Sequence, residues 1–187
     1  TDTALCEGAV SISSASVSIA QQIFGSFKGR RVLLVGAGET NINTALHFQH
    51  SGVESFVVAN RGQERGLEVA ERFGGRYMPL DRLEEAFADV DIAVFATSSP
   101  DYLIDHKTFK SIMRRRRGHP IFVLDISNPR NVDPKIDRLA DVYLMNIDDL
   151  KSVMDENLRE RASEIPSAER IIEENVSKWR KFIQKLR

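Results

Sequence analysis

From Arg31 the chain runs through Val32-Leu33-Leu34-Val35 and straight into Gly36-Ala37-Gly38. An unbroken apolar run of this length suits a strand buried on both faces, which is the condition of a parallel sheet covered by helices. Residues 40–51 then read as a helix closed by Gly52, and the alternation continues. Strand-like runs fall at 55–59, 76–78, 91–96, 121–126 and 142–145. Helical patterns fall at 63–73, 81–88 and 105–117, with Asp81 a candidate N-cap of the second. A further helix is expected over 9–27, ahead of the first strand. Alternating strands and helices imply a parallel sheet with right-handed crossovers.

The glycine loop adds chemistry to that architecture. Where a strand turns into a helix, a first glycine makes the tight turn and a second lets the backbone approach a diphosphate. The helix N-terminus then offers free amides and partial positive charge. Gly36, Ala37, Gly38, Glu39, Thr40 and Asn41 are therefore candidate cofactor-binding residues. A carboxylate beside phosphate is unfavourable, so the side chain of Glu39 is expected to point away. Asn41 departs from the pattern, because the third position usually holds Gly or Ala for close helix–strand contact. The alternative is a pair of turn glycines in a doubly wound fold that binds nothing.

The end of the second strand discriminates between cofactors. Enzymes using NAD often place Asp or Glu there to bond the ribose 2′-hydroxyl. Here the strand ends Val58-Ala59-Asn60-Arg61, with no carboxylate. Asn60 can bond ribose or adenine edges, Arg61 can pair with a 2′-phosphate, and Arg65 one helical turn on can add to the same field. This reads as NADP, against the alternative of a solvated arginine. The fourth strand ends in Thr97-Ser98-Ser99, small hydroxyl residues able to approach the nicotinamide half or simply to form a turn. Asp125, at the end of the fifth strand, is either a site residue or a buried turn-former.

From Leu150 one apolar series runs through Met154, Leu158, Ala162, Ile165, Ala168, Ile172, Val176, Trp179, Ile183 and Leu186, ten steps over 36 residues. That is the α-helical period. A single helix kinked at Pro166 is expected, roughly 55 Å long at ~1.5 Å per residue. Such a helix overshoots one compact domain, and both chain ends read as cut from something longer. The domain division expected is 1–29 as a leading helical segment, 30–148 as an NADP-binding domain, and 149–187 as a long connecting helix.

Other constellations carry less. Arg114-Arg115-Arg116-Arg117 could touch nucleic-acid phosphates, but such a run more often forms a solvated helix C-terminus favoured by the macrodipole. With 26 basic and 27 acidic residues, nothing global argues for nucleic acid or membrane. His47, His50, His106 and His119 show no zinc spacing, and no metal is expected. Cys6, the one cysteine, has no neighbouring base, so no catalytic residue is assigned; its solitude fits a reducing cytoplasm.

Several ordered motifs together resemble the NADPH domain of glutamyl-tRNA reductases. They are Gly8-Ala9-Val10-Ser11-Ile12-Ser13-Ser14-Ala15, Gly36-Ala37-Gly38-Glu39-Thr40, Ala59-Asn60-Arg61 and Ala96-Thr97-Ser98-Ser99-Pro100. Asp125-Ile126-Ser127-Asn128-Pro129-Arg130-Asn131-Val132 and Tyr143-Leu144 followed by Ile147-Asp148-Asp149-Leu150 complete the set. The resemblance implies an α/β fold: a Rossmann-type, doubly wound, mainly parallel sheet followed by a long C-terminal α-helix. It also implies an enzyme that reduces glutamyl-tRNA(Glu) to glutamate-1-semialdehyde, on the way to 5-aminolevulinate and tetrapyrroles. A cysteine in another domain would form the thioester that NADPH reduces. The enzyme would be a homodimer that hands its aldehyde to glutamate-1-semialdehyde aminotransferase. This chain alone would then bind cofactor without turnover. Gly62 stands where the family usually has Thr, and nothing resembles its catalytic cysteine segment. An NADP-binding domain of the shikimate-dehydrogenase type and a non-catalytic cofactor-sensing scaffold remain the alternatives.

Overall fold

A computed structural model describes the backbone of residues 4–154 and the side chains of residues 12–154. Six strands form one sheet: β1 (Arg31–Val35), β2 (Ser55–Asn60), β3 (Arg76–Pro79), β4 (Ile92–Phe95), β5 (Ile121–Asp125) and β6 (Val142–Asn146). Their order is β3-β2-β1-β4-β5-β6. Every pairing is parallel, so the expected mainly parallel sheet is parallel throughout. The order reverses between β1 and β4, and a crevice at the carboxyl ends of the strands follows from that reversal. The four central strands are apolar for the reason read in the sequence: both faces are covered. Val32, Leu33, Leu34 and Val35 are all fully buried.

Side chains alternate between the two faces. Leu33, Val35, Val57, Ala59, Ala93 and Phe95 point to one face. There they join Leu83, Phe109, Ile112 and Ile136, which come from α4 (Leu83–Ala86), α5 (His106–Arg116) and a 3₁₀ turn at Pro134–Arg138, and Phe87, which caps α4. Phe87 meets Phe109 edge-on at 5.3 Å. The remaining helices are α1 (Ala4–Phe24), α2 (Glu39–His50) and α3 (Gln63–Arg72). Helices α1 and α2 lie against each other, with Ser13 Oγ 3.1 Å from Thr44 Oγ1, and Phe27 meets Phe48 at 5.6 Å. Each large apolar side chain buried this completely contributes about 1.5–3 kcal/mol.

Several boundaries differ from the sequence reading. The first helix ends at Phe24, because Gly25 turns the chain with a positive φ of 70°. Asp81 is no N-cap; it lies inside a 3₁₀ turn, Leu80–Arg82, and α4 after it is one turn long. Asp105 lies outside its helix and caps it, accepting the Thr108 amide at 2.7 Å. That bond holds the Asp105 carboxyl below its ordinary pKa. The tail helix begins two residues earlier than expected, since residues 147–154 are helical. Asn146 Oδ1 accepts the Asp148 amide and Asp149 Oδ2 accepts the Asn146 amide, both at 2.8 Å, a reciprocal capping arrangement.

The chain divides into two units, Thr1–Leu150 and Lys151–Arg187. The expected run from Leu158 to Leu186, with its kink at Pro166 and Trp179, lies outside the described residues, as does the Cys6 side chain. Among the described residues no helix is long and apolar enough to cross a membrane, and no cluster of His, Cys, Asp and Glu could hold a metal.

Candidate functional site

Two adjoining clefts open at the carboxyl edge of the sheet, where the strand order reverses. One, of about 170 Å³, is lined by Gly36, Ala59, Asn60, Arg61, Leu80, Thr97, Ser98 and Ser99. The other, of about 400 Å³, is lined by the glycine loop Gly36–Gly38 with Thr40, Asn60, Arg65, Ala96, Thr97, Ser98 and Ile126. Gly36, Asn60, Thr97 and Ser98 belong to both, so the clefts form one continuous groove.

The two glycines do different work. Gly36 has φ +99°, and a β-carbon there would lie 2.5 Å from the Ala96 carbonyl oxygen. It is needed so that β1 and β4 can end side by side. At Gly38 a β-carbon would meet nothing within 4 Å. That position faces open space, the kind of cradle a diphosphate needs and a side chain would fill. The first intrahelical bond of α2 runs from the Ile42 amide to the Gly38 carbonyl at 3.1 Å. The amides of Glu39, Thr40 and Asn41 before it therefore have no partner within the helix. The residues present fit a dinucleotide.

The odd third position has a structural explanation. Asn41 is fully buried, and its Nδ2 donates to the carbonyls of Val35 and Gly36, both at 2.8 Å. It ties the start of α2 to the end of β1, and its main-chain amide stays outside the helix's own bonds. Its Oδ1 has no hydrogen-bond partner. The Glu39 side chain does point out, at 80% exposure, and lies 3.5 Å from the Arg65 guanidinium.

Arg65 lines the larger cleft, beside the glycine loop, and not the smaller one with Arg61. Its Nε donates to the Ala37 carbonyl at 3.2 Å, and its Nη1 lies 2.6 Å from Glu68. The hydrogen bond to Glu68 and the charges of Glu68 and Glu39 raise its pKa above the ordinary value. Arg65 braces the glycine loop and is held by carboxylates. Arg61 lines the smaller cleft, and no described residue pairs with its guanidinium. Asn60 Nδ2 donates to the Gly62 carbonyl at 2.8 Å, which sets the turn that presents Arg61.

The loops after β4 and β5 are held as a unit. Asp125 is 2% exposed. Its Oδ1 accepts the Ser127 amide, and its Oδ2 accepts the amides of Asn131 and Val132 at 2.8 and 2.9 Å. Those are the bonds of a turn-former, and Asp125 lines neither cleft. Asn131, which sequence reasoning passed over, is fully buried between the loops. It accepts from the Thr97 hydroxyl and donates to the Ser99 and Asp101 carbonyls at 3.0 and 3.3 Å. Thr97, Ser98 and Ser99, which the sequence leaves open between the nicotinamide half and a turn, all line the smaller cleft, and Thr97 and Ser98 line the larger one as well. Leu80 was also missed. It follows β3 directly, and a strand end on the carboxyl edge was the available signal.

This geometry defines a class: a doubly wound nucleotide-type domain with its groove at the strand switch. The family model for Shikimate / quinate 5-dehydrogenase matches residues 18–153, and the chain belongs to that family. Within that class its full length aligns with proteins named glutamyl-tRNA reductase. It is 40% identical over 186 residues to the one from Nitratidesulfovibrio vulgaris strain DP4, covering 100% of this chain and 42% of that protein. The relative from Desulfatibacillum aliphaticivorans is 40% identical over 185 residues. Among solved structures, Glutamyl-tRNA Reductase from Methanopyrus kandleri superposes with a TM-score of 0.80 at 39% identity, covering 95% of this chain and 45% of that one. The nucleotide binding domain of the Thermoplasma volcanium enzyme covers 81% of this chain at 21% identity and a TM-score of 0.62, a likeness of fold. The resemblance drawn from the motifs is thus borne out along the whole chain. The chain spans less than half the length of the curated relatives it matches.

Proposed function

We propose that this chain is the NADPH-binding domain of a glutamyl-tRNA reductase. The whole enzyme would reduce glutamyl-tRNA(Glu) to glutamate-1-semialdehyde in the cytoplasm as a homodimer, passing the aldehyde to its aminotransferase. Bound NADPH supplies the hydride. Within this chain, the amides at the start of α2 bind the diphosphate across Gly38, and Arg61 pairs with the 2′-phosphate beside Asn60. Leu80 and Thr97–Ser99 wall the adjoining cleft, and the bonds from Asn131 and Asp125 keep that wall in place. The observation that carries the reading is the Arg61 guanidinium, unpaired among the described residues, in a cleft lined by no carboxylate.

Fluorescence titration with NADPH and NADH tests it. The chain should prefer NADPH. Arg61→Ala removes a charge-assisted contact of about 1.5–3 kcal/mol, or roughly 10- to 100-fold in affinity for NADPH, and leaves NADH unchanged. Equal affinity for the two cofactors, or an Arg61→Ala chain that still favours NADPH, overturns the assignment.

A further inference from the structure

Residues 106–117 hold six cations, Lys107, Lys110, Arg114, Arg115, Arg116 and Arg117, and no acidic residue. Two of them have partners in the fold. Arg116 is buried at 5% exposure and bonds main-chain carbonyls, and Arg115 reaches Glu84 at 3.8 Å. Of the other four, Lys107, Lys110 and Arg114 fall at i, i+3 and i+7 on α5, within an arc of roughly 60° at ~100° per residue, and Arg117 follows as the left-handed residue that closes the helix. All four are exposed, and the three on α5 lie on the side opposite the buried Phe109, Ile112 and Arg116. Among the described residues none of the four has an ion-pair partner. Some exposed cations elsewhere are matched within their own helix, as Arg65 is by Glu68 and Arg82 by Glu85, whereas these four are not. The helix dipole favours cations in the last turn of α5, but it opposes Lys107 in the first. It therefore does not explain the stripe, although Asp105 at the cap moderates the cost through its charge interaction with Lys107.

We propose that the Lys107-Lys110-Arg114-Arg117 ridge is a docking surface for the phosphates of an RNA strand, and that the tRNA substrate of the reductase proposed above is what it holds. The identity of the RNA rests on that reading. The ridge is ~15 Å long at ~1.5 Å per residue. Its four cations suffice for about four phosphate contacts. A lipid surface fits less well, because a membrane-lying helix needs an apolar face beside its cations. The exposed large hydrophobics among the described residues, Leu67, Tyr102 and Tyr143, all lie off α5.

The test is fluorescence anisotropy with labelled, unacylated tRNA(Glu) between 50 and 200 mM NaCl, the assay concentrations being of the order at which phosphate contacts are salt-sensitive. The wild-type chain is compared with the quadruple variant Lys107→Gln, Lys110→Gln, Arg114→Gln and Arg117→Gln, each also titrated with NADPH and melted. The quadruple variant should lose about 3–4 from the slope of log K against log salt, at about 0.9 per phosphate contact, and bind about 100-fold more weakly at the lowest salt. Lys110→Gln alone should lose a slope of about one. NADPH affinity and melting temperature should not move. Wild-type affinity and slope in the quadruple variant, no tRNA binding by the wild type, or tighter binding of polyglutamate or phosphatidylserine vesicles overturns the proposal. A chain that binds tRNA through the ridge but binds no NADPH upholds the ridge and overturns the cofactor assignment, so the two failures read out separately.

Discussion

A β-carbon at Gly36 would press to 2.5 Å from a backbone oxygen, whereas one at Gly38 would meet nothing. The same residue type two positions apart therefore answers to different demands. Gly36→Ala should destabilise the fold, by about 1–3 kcal/mol for a side chain at positive φ, before the clash with Ala96 is added. Gly38 has φ −85° and ψ 169°, which any residue can adopt. Gly38→Ala should leave stability within about 0.5 kcal/mol and still weaken NADPH roughly tenfold or more, because its methyl enters the space the diphosphate takes. Urea unfolding paired with cofactor titration separates the two. A Gly38→Ala chain with intact affinity would remove the diphosphate from that loop. Asn41 shows the limit of reading single positions. As a departure from the glycine pattern it looked like a weakened site, and its side chain proves to be the staple between α2 and β1.

At the scale of elements, α5 shows how one helix carries two charge regimes. Its outer ridge is solvated, and its inner face holds Arg116. Arg116 Nη1 donates to the carbonyls of Phe87 and Val90 at 2.6 and 2.7 Å, and its Nη2 to that of Pro120 at 3.0 Å. Burial lowers the Arg116 pKa, and Asp91 and Asp89 partly restore it. The four-arginine run was read as a solvated terminus. Helical phase places its third member under the helix, where it ties α5 to the segment after α4 and to the start of β5. Arg116→Met leaves those carbonyls without a donor and should cost on the order of 3 kcal/mol or more. Arg114→Met, on the exposed side, should stay within about 0.5 kcal/mol. Urea midpoints check both, and equal costs would show that Arg116 does not act as a tie.

For the whole molecule, the groove lies at a rim shared by the two halves of the sheet, and a ligand there touches loops from β1, β2, β4 and β5. A bound dinucleotide should therefore stabilise the folded chain as a unit. At 100 times its dissociation constant, NADPH adds about 2.7 kcal/mol. That corresponds to a rise of roughly 5–11 °C in a domain of this size. Scanning calorimetry with and without NADPH measures it; a melting temperature that ignores saturating cofactor would rule out binding to the native groove.

Local signals were enough for the alternation of strands and helices, the buried character of the central strands and the glycine turn, because each depends on neighbours a few residues away. Hydrophobic period and turn chemistry are local physics. The partners of buried polar groups were not readable, because they come from distant segments. Asn131 meets Thr97 across 34 positions, Arg116 meets Phe87 across 29, and Arg65 meets Ala37 across 28. Asp125 was left open between ligand and turn, and only the folded loops bring three amides to its carboxylate. Tertiary structure decided which polar residues hold the protein together and which, like Arg61, keep no partner among the described residues, since a polar group withdrawn from water must find a partner wherever the chain brings one.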